Sequence, residues 1–274
     1  MKFRFIIISF NIIIVFFLLV IGFTPYAILG ADIAQKFWST GWPFAAILFL
    51  AMIGLNVFFF MNNRLFMLLE KEDWPALVEY LERRIYERGD FSSRIVKLLA
   101  NSYIIMSDSM GVMRLEKKVA QTKPALLESN ALVFGAARIL DGDLAGAAAF
   151  FNTRLEKGKV KNVQWVRWYY GFSLLLSRDF AKSENEFRTL ALASDDAIVT
   201  GLSAWFLIDT LLKFSANPDQ CKAAAEEGRN RLRISLKKPD TWHKETAKLA
   251  SEVHTAVIRK YIDESSAWLF QKEE

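Results

Sequence analysis

Two histidines and one cysteine stand among 274 residues, which leaves little for acid–base, thiol or zinc chemistry. His243 and His254 are eleven positions apart. On one helix that is three turns, roughly 16 Å, too far to share a metal ion. Cys221 heads an alanine-rich stretch and reads as a small packed residue. No phosphate-binding glycine loop, paired-cysteine motif or HExxH occurs, and no serine stands in a nucleophile elbow. The expectation is a protein without catalytic residues, cofactor or metal, not an enzyme, that works by binding.

Three groups of residues carry chemistry of the binding kind. The segment VQWVRWYYGFSLLL (163–176) places Trp165, Trp168 and Phe172 at i, i+3 and i+7, one stripe of a helix. Such a stripe serves either as core or as an aromatic groove for a partner helix or peptide, and the groove is the candidate site. Lys97 and Asn101, one turn apart, are a second candidate, a basic and an amide group facing the same way. Two basic clusters follow: Arg154, Lys157, Lys159 and Lys161, then Arg229, Arg231, Arg233, Lys237 and Lys238. Beside a bilayer the second cluster could touch anionic headgroups, at about 1 kcal/mol per charge. Nucleic acid is a poor partner at a net charge of +5, because acidic residues are interspersed with the basic ones.

The elements that position these groups begin with a membrane segment. Mean hydropathy is +0.17, and the excess lies in the first quarter of the chain. Residues 5–31 and 37–63 contain no Asp, Glu, Lys or Arg, and about 20 apolar residues suffice to cross the hydrocarbon core. The densest parts, 5–23 and 42–61, predict a transmembrane hairpin over residues 1–63, joined by a polar loop with Trp38 and Trp42 at the interface. A cleaved signal peptide is a poorer reading: the apolar core is too long and no A-x-A site follows. Lys2, Arg4, Arg64 and Lys71 lie on one side and Lys36 on the other, so both termini and the following domain are expected in the cytoplasm. Asn11 and Asn56 fall at the same depth of an antiparallel hairpin. There, two amides satisfy each other across the helix interface.

Residues 64–274 show helical punctuation and no strand-like alternation, so the fold class expected is all-α. Turn signals at SDSMG (107–111), DGD (141–143) and SRD (177–179) separate segments of helix-pair length. Ala100, Gly135 and Gly171, spaced by 35 and 36, each precede an aromatic or small residue on the next helix, as in Ala147 with Phe151 and Ser183 with Phe187. LLANSYIIMSDSMGVMRLEKKVAQTKP (98–124), FGAARILDGDLAGAAAFF (134–151) and YGFSLLLSRDFAKSENEF (170–187) resemble tetratricopeptide repeats, with Pro124 where that family closes a unit. Val112 departs from the small residue usual there. The resemblance covers about residues 70–235 and implies an α-solenoid of antiparallel helix pairs, here ended by a long capping helix from Thr241. A membrane hairpin followed by such repeats is also similar in layout to HemY-type membrane proteins, by analogy alone.

What the resemblance implies is an anchored scaffold or adaptor that binds other proteins at the cytoplasmic face of the inner membrane. The alternative keeps the fold but makes it a structural part of a large envelope assembly, such as a flagellar motor or secretion machine, with the repeats on the outer side.

Overall fold

The computed structural model describes residues 3–236, 239–249 and 252–271, so Lys237 and Lys238 of the second basic cluster lie outside the described residues. Every regular element among the described residues is helical. The chain forms two compact units, Met1–Tyr80 and Leu81–Glu274.

The first unit contains α1 (Phe3–Leu29) and α2 (Ala31–Glu70), of 27 and 40 residues. Both contain stretches long and apolar enough to cross a membrane, Phe5–Ile28 and Trp38–Glu70. Their large side chains, Ile12, Phe16, Phe44 and Ile47 among them, are exposed, as a lipid-facing surface requires. The link is tighter than the expected polar loop. Only Gly30 interrupts the helices, at φ 81°, and Ala31 already belongs to α2. A residue without Cβ adopts that backbone at little cost. Nor does α2 end with the apolar run at residue 63, which is why the division between the units falls later. The next helix, α3 (Trp74–Glu82), starts at Asp73, whose carboxylate accepts from Ala76 N at 3.2 Å.

The second unit is a series of helix pairs: α4 (Ser93–Ile105) with α5 (Ser109–Thr122), and, after the short α6 (Ala125–Ser129), α7 (Ala131–Leu140) with α8 (Leu144–Lys157). Then come α9 (Val163–Leu176) with α10 (Phe180–Ala193), and α11 (Ala197–Asp209) with α12 (Pro218–Leu236). The first three pairs close through one turn repeated. Ser107, Gly142 and Arg178 take left-handed φ values of 57°, 81° and 64° and stop the incoming helix. The next residue is Asp108, Asp143 or Asp179, whose backbone N–H returns to the carbonyl five residues back at 2.9 Å. Its carboxylate caps the outgoing helix through Gly111, Gly146 or Lys182. Glu72 and Asp73 in the first unit show the same pattern, with φ 53° at Glu72. The turn therefore recurs at 72, 107, 142 and 178, spaced by 35, 35 and 36.

Within pairs the small residues do what close packing asks of them. A Cβ on Gly135 would lie 2.0 Å from the Phe151 ring, and one on Gly171 would lie 3.1 Å from Phe187. The core of the unit is aromatic: Phe187 stacks on Phe206 at 5.4 Å, and Tyr169 stacks on Phe151 at 5.8 Å.

The expected long C-terminal helix is broken. Its place is taken by α13 (Pro239–Leu249), a 3₁₀ turn at Val253–Val257, and α14 (Arg259–Phe270). β-branched Val253, Thr255, Val257 and Ile258 make this stretch a poor helix former. Thr255 Oγ1 bonds the carbonyls of Leu249 and Glu252 at 2.9 and 2.7 Å, which holds the break in place.

Candidate functional site

The aromatic stripe is closed rather than open. Trp165, Trp168 and Phe172 expose 6%, 0% and 2% of their surface. Trp168 stacks on Phe172 at 5.1 Å and meets Phe187 and Phe206 at 5.8 and 5.9 Å. Trp165 donates its indole N–H to Asp196 at 2.9 Å. A stripe faces a groove only if the rest of the helix is packed elsewhere, and α9 is packed on nearly every side: Val166, Tyr169 and Leu175 are buried too. The three rings are core, and the expectation of an aromatic binding groove is corrected.

Lys97 and Asn101 share a helix but not a site. Lys97 Nζ lies 2.6 Å from Glu252 Oε2, 155 positions along the chain. Asn101 Oδ1 is buried with no hydrogen-bond partner among the described residues. Beside Lys97, the 3₁₀ turn of the C-terminal segment packs against α4 and α7. Tyr169 of α9 donates its hydroxyl to the His254 carbonyl at 2.8 Å, with His254 Nδ1 at 3.2 Å. Burial holds the His254 imidazole well below its ordinary pKa, down to about 4, with Lys97 pushing the same way against Glu252. His254 is thus neutral at pH 7 and is a packed residue of a short turn, on a different element from the exposed His243.

Next to this segment lies a cleft of about 200 Å³ lined by Lys97, Asn130, Lys161, Trp165, Lys248 and Glu252, among others. Asn130, 3% exposed, uses its Nδ2 on the Leu126 carbonyl at 2.8 Å, while its Oδ1 has no partner among the described residues. Lys248 is held by Glu245 at 2.6 Å, and Lys161 stands exposed at the rim. The lining gathers three ammonium groups, whose charge suits a carboxylate. Neither Asn130 nor Glu252 is marked in the sequence by any motif; only the fold brings them beside Lys97.

The three arginines of the second basic cluster are engaged with backbone carbonyls of the same unit. Arg229 donates to the Trp268 and Gln271 carbonyls, both at 2.9 Å, and Arg233 to Leu269 and Gln271 at 3.0 and 2.6 Å. Arg231 bonds Ala191 at 3.0 Å, Ser194 at 3.2 Å, and Leu192. These carbonyls belong to the last turns and C-caps of α14 and α10, at the negative end of each helix dipole. The expectation of a headgroup contact is corrected for Arg229, which is buried, while Arg231 and Arg233 are half-buried beside these carbonyls. In the first cluster, Arg154 is buried over the Phe150 ring at 3.2 Å and bonds the Phe150 carbonyl at 2.9 Å. Cys221 is buried too. Its thiol points to the Leu207 carbonyl at 3.4 Å, and burial pushes its pKa up to about 11.

In the first unit Asn11 and Asn56 face each other. Asn11 Nδ2 donates to Asn56 Oδ1 at 3.0 Å and Asn56 Nδ2 to Asn11 Oδ1 at 2.7 Å. Each Nδ2 also reaches the carbonyl four residues back, Ile7 or Met52, at 2.9 Å. All four amide N–H groups have acceptors, which hydrocarbon surroundings demand.

These features define an all-helical protein with two helices of membrane-spanning length and a helix-pair unit. The chain belongs to the family described as "Uncharacterised Treponema protein", which matches residues 111–271. It is 27% identical over 246 residues to an "Uncharacterized protein" of Treponema pallidum (strain Nichols), a match covering 85% of this chain and 78% of that protein. No solved structure matches.

Proposed function

We propose that this protein is a membrane-anchored, tetratricopeptide-like scaffold that binds a segment of a partner protein in the cleft around Lys97, Asn130 and Lys161. The turn repeating at 72, 107, 142 and 178 supports the solenoid reading, together with the glycine–aromatic contacts of Gly135 and Gly171. The observation that carries the binding site is the gathering of Lys97, Lys161 and Lys248, far apart in sequence, around one cleft. Paired spans supply the anchor, and the bias of basic residues toward the outer ends of the two spans supports a cytoplasmic domain.

Position-specific photocrosslinking in native cells tests the reading. A crosslinker at Lys161 or Lys248 should trap a defined partner, while one at the exposed Asn185 of α10 should not. Equal trapping from both faces, or none from the cleft, would reject it. Cysteines placed at Lys36 or Lys71 in the full-length protein report the side of the membrane. Buried Cys221 will not react with a bulky maleimide, so it leaves that readout clean.

A further inference from the structure

The first helices of three successive pairs end on an exposed aliphatic residue. Ile105, Leu140 and Leu176 close α4, α7 and α9, each two positions before the left-handed turn residue. They leave 42%, 55% and 37% of their surface exposed. The turn does not call for an apolar side chain there, since its hydrogen bonds use backbone groups and the Asp carboxylate. Met106, Met110 and Met113 are exposed beside the first turn, and Phe214, stacked on Phe180 at 4.0 Å, beyond the third. Hollows alternate with these ridges. One of about 200 Å³ lies among Ile104, Val112, Ala137 and Leu140, and a groove of about 800 Å³ runs between Leu176, Phe180, Trp205 and Phe214. We propose that this edge docks an amphipathic helix of a partner protein, one that repeats its apolar residues every seven positions and brings a basic group to Asp141. The lysine cleft lies toward the other ends of the same helices, at Lys97, Asn130 and Trp165, so the proposal does not depend on it.

Spacing and charge name the occupant. α4 packs on α7 and α7 on α9, and packed helices lie about 8–10 Å apart. Seven residues of a helix span roughly 10.5 Å, so a helix laid across these ends meets Ile105, Leu140 and Leu176 with side chains at i, i+7 and i+14. The methionines at one end adapt their shape to whatever side chains arrive. In the smaller hollow Asp141 is the one charged residue, exposed and in no ion pair among the described residues. A basic group of the partner complements it. The groove at the other end is balanced, with Arg178 and Lys260 beside Asp209 and Glu264, so charge selects at the Asp141 end alone. An anionic bilayer is a poor occupant, because it would repel the exposed carboxylates of Asp141 and Asp209.

The test uses the full chain in nanodiscs of zwitterionic lipid and a fluorescent peptide of three heptads, with leucine at the first and fourth positions and lysines on the other face. Fluorescence anisotropy should show saturable binding. Leu140→Gln or Leu176→Gln should weaken it roughly tenfold or more, as truncating a docking anchor does. Both side chains are exposed at helix ends, and glutamine is a good helix former, so the fold is kept. Leu192→Gln, on an exposed residue of α10 away from the turns, should change nothing. A peptide of the same composition with its leucines shuffled out of phase should bind roughly tenfold more weakly or less than that. Asp141→Lys should weaken the lysine peptide, and a peptide with glutamate in place of lysine should prefer that variant over wild type. Equal affinity for wild type and both glutamine variants would overturn the proposal. So would tight binding of the shuffled peptide, an indifferent response to the charge exchange, or a signal no greater than that of empty discs. A wild-type dimer that Leu140→Gln turns into a monomer would also overturn it, by making the row a face between two copies.

Discussion

The ring of Phe151 occupies the space in which a Cβ on residue 135 would sit, its Cζ only 2.0 Å from that position. At the equivalent site one unit later, Phe187 leaves 3.1 Å beside Gly171. The two glycines hold the same place in successive helix pairs but are not equally constrained.

Gly135→Ala should therefore cost more stability than Gly171→Ala. Overpacking a well-filled site typically costs about 1–3 kcal/mol, while the looser site should stay near the lower end of that range or below it. Thermal or urea unfolding of the two variants side by side decides the matter. Equal losses would mean that the pairs do not share this packing.

Trp168 should behave as a core residue. Truncation to Ala is expected to cost roughly 3–5 kcal/mol, from lost burial and the cavity left behind. Trp168→Phe should be far milder, because the indole N–H has no hydrogen-bond partner among the described residues and its loss sacrifices none. A Trp168→Ala protein of unaltered stability would place the ring outside the core.

The paired asparagines in the first unit call for a double-mutant cycle in bilayers. Either Asn11→Leu or Asn56→Leu leaves an amide unsatisfied, and the double replacement removes both. The coupling expected is about 0.6 kcal/mol, and up to roughly 2. Additive losses would show that the amides do not meet.

Acid should loosen the C-terminal segment. The imidazole of His254 has a folded pKa of about 4, below its ordinary 6.5, so the neutral form is the one the fold favours. Its contribution is complete above pH 6.5 and is lost as pH falls toward 4. The groups facing it are Tyr169 from α9, Lys97 from α4 and its own neighbour Glu252. Melting temperature should fall across that window in wild type and fall less in His254→Gln. Parallel curves would assign the slope to other groups.

Much of the fold was legible in the sequence because it depends on local chemistry. Apolar length marked the two long helices, and the turns followed from short polar triplets. The sharpest sign is the recurrence of Asp73, Asp108, Asp143 and Asp179 at intervals of 35, 35 and 36, each capping a helix. The site was less legible, for physical reasons. Helical periodicity shows that Trp165, Trp168 and Phe172 share a face, but not that other helices cover the remaining faces. A run of arginines looks the same whether it meets solvent or the carbonyl ends of distant helices. The 3₁₀ turn depends on contacts between Glu252 and Lys97, 155 positions apart, and between His254 and Tyr169, 85 apart, which no local pattern encodes.

The arginines on α12 tie the end of the chain to its middle. Because Arg229 and Arg233 hold carbonyls at the end of α14, the chain leaves α12 and returns to it as a closed loop and not a free tail. The entropy of closing that loop is given up on folding and returned when the arginines are removed, so a change on α12 is felt at the far end of the chain.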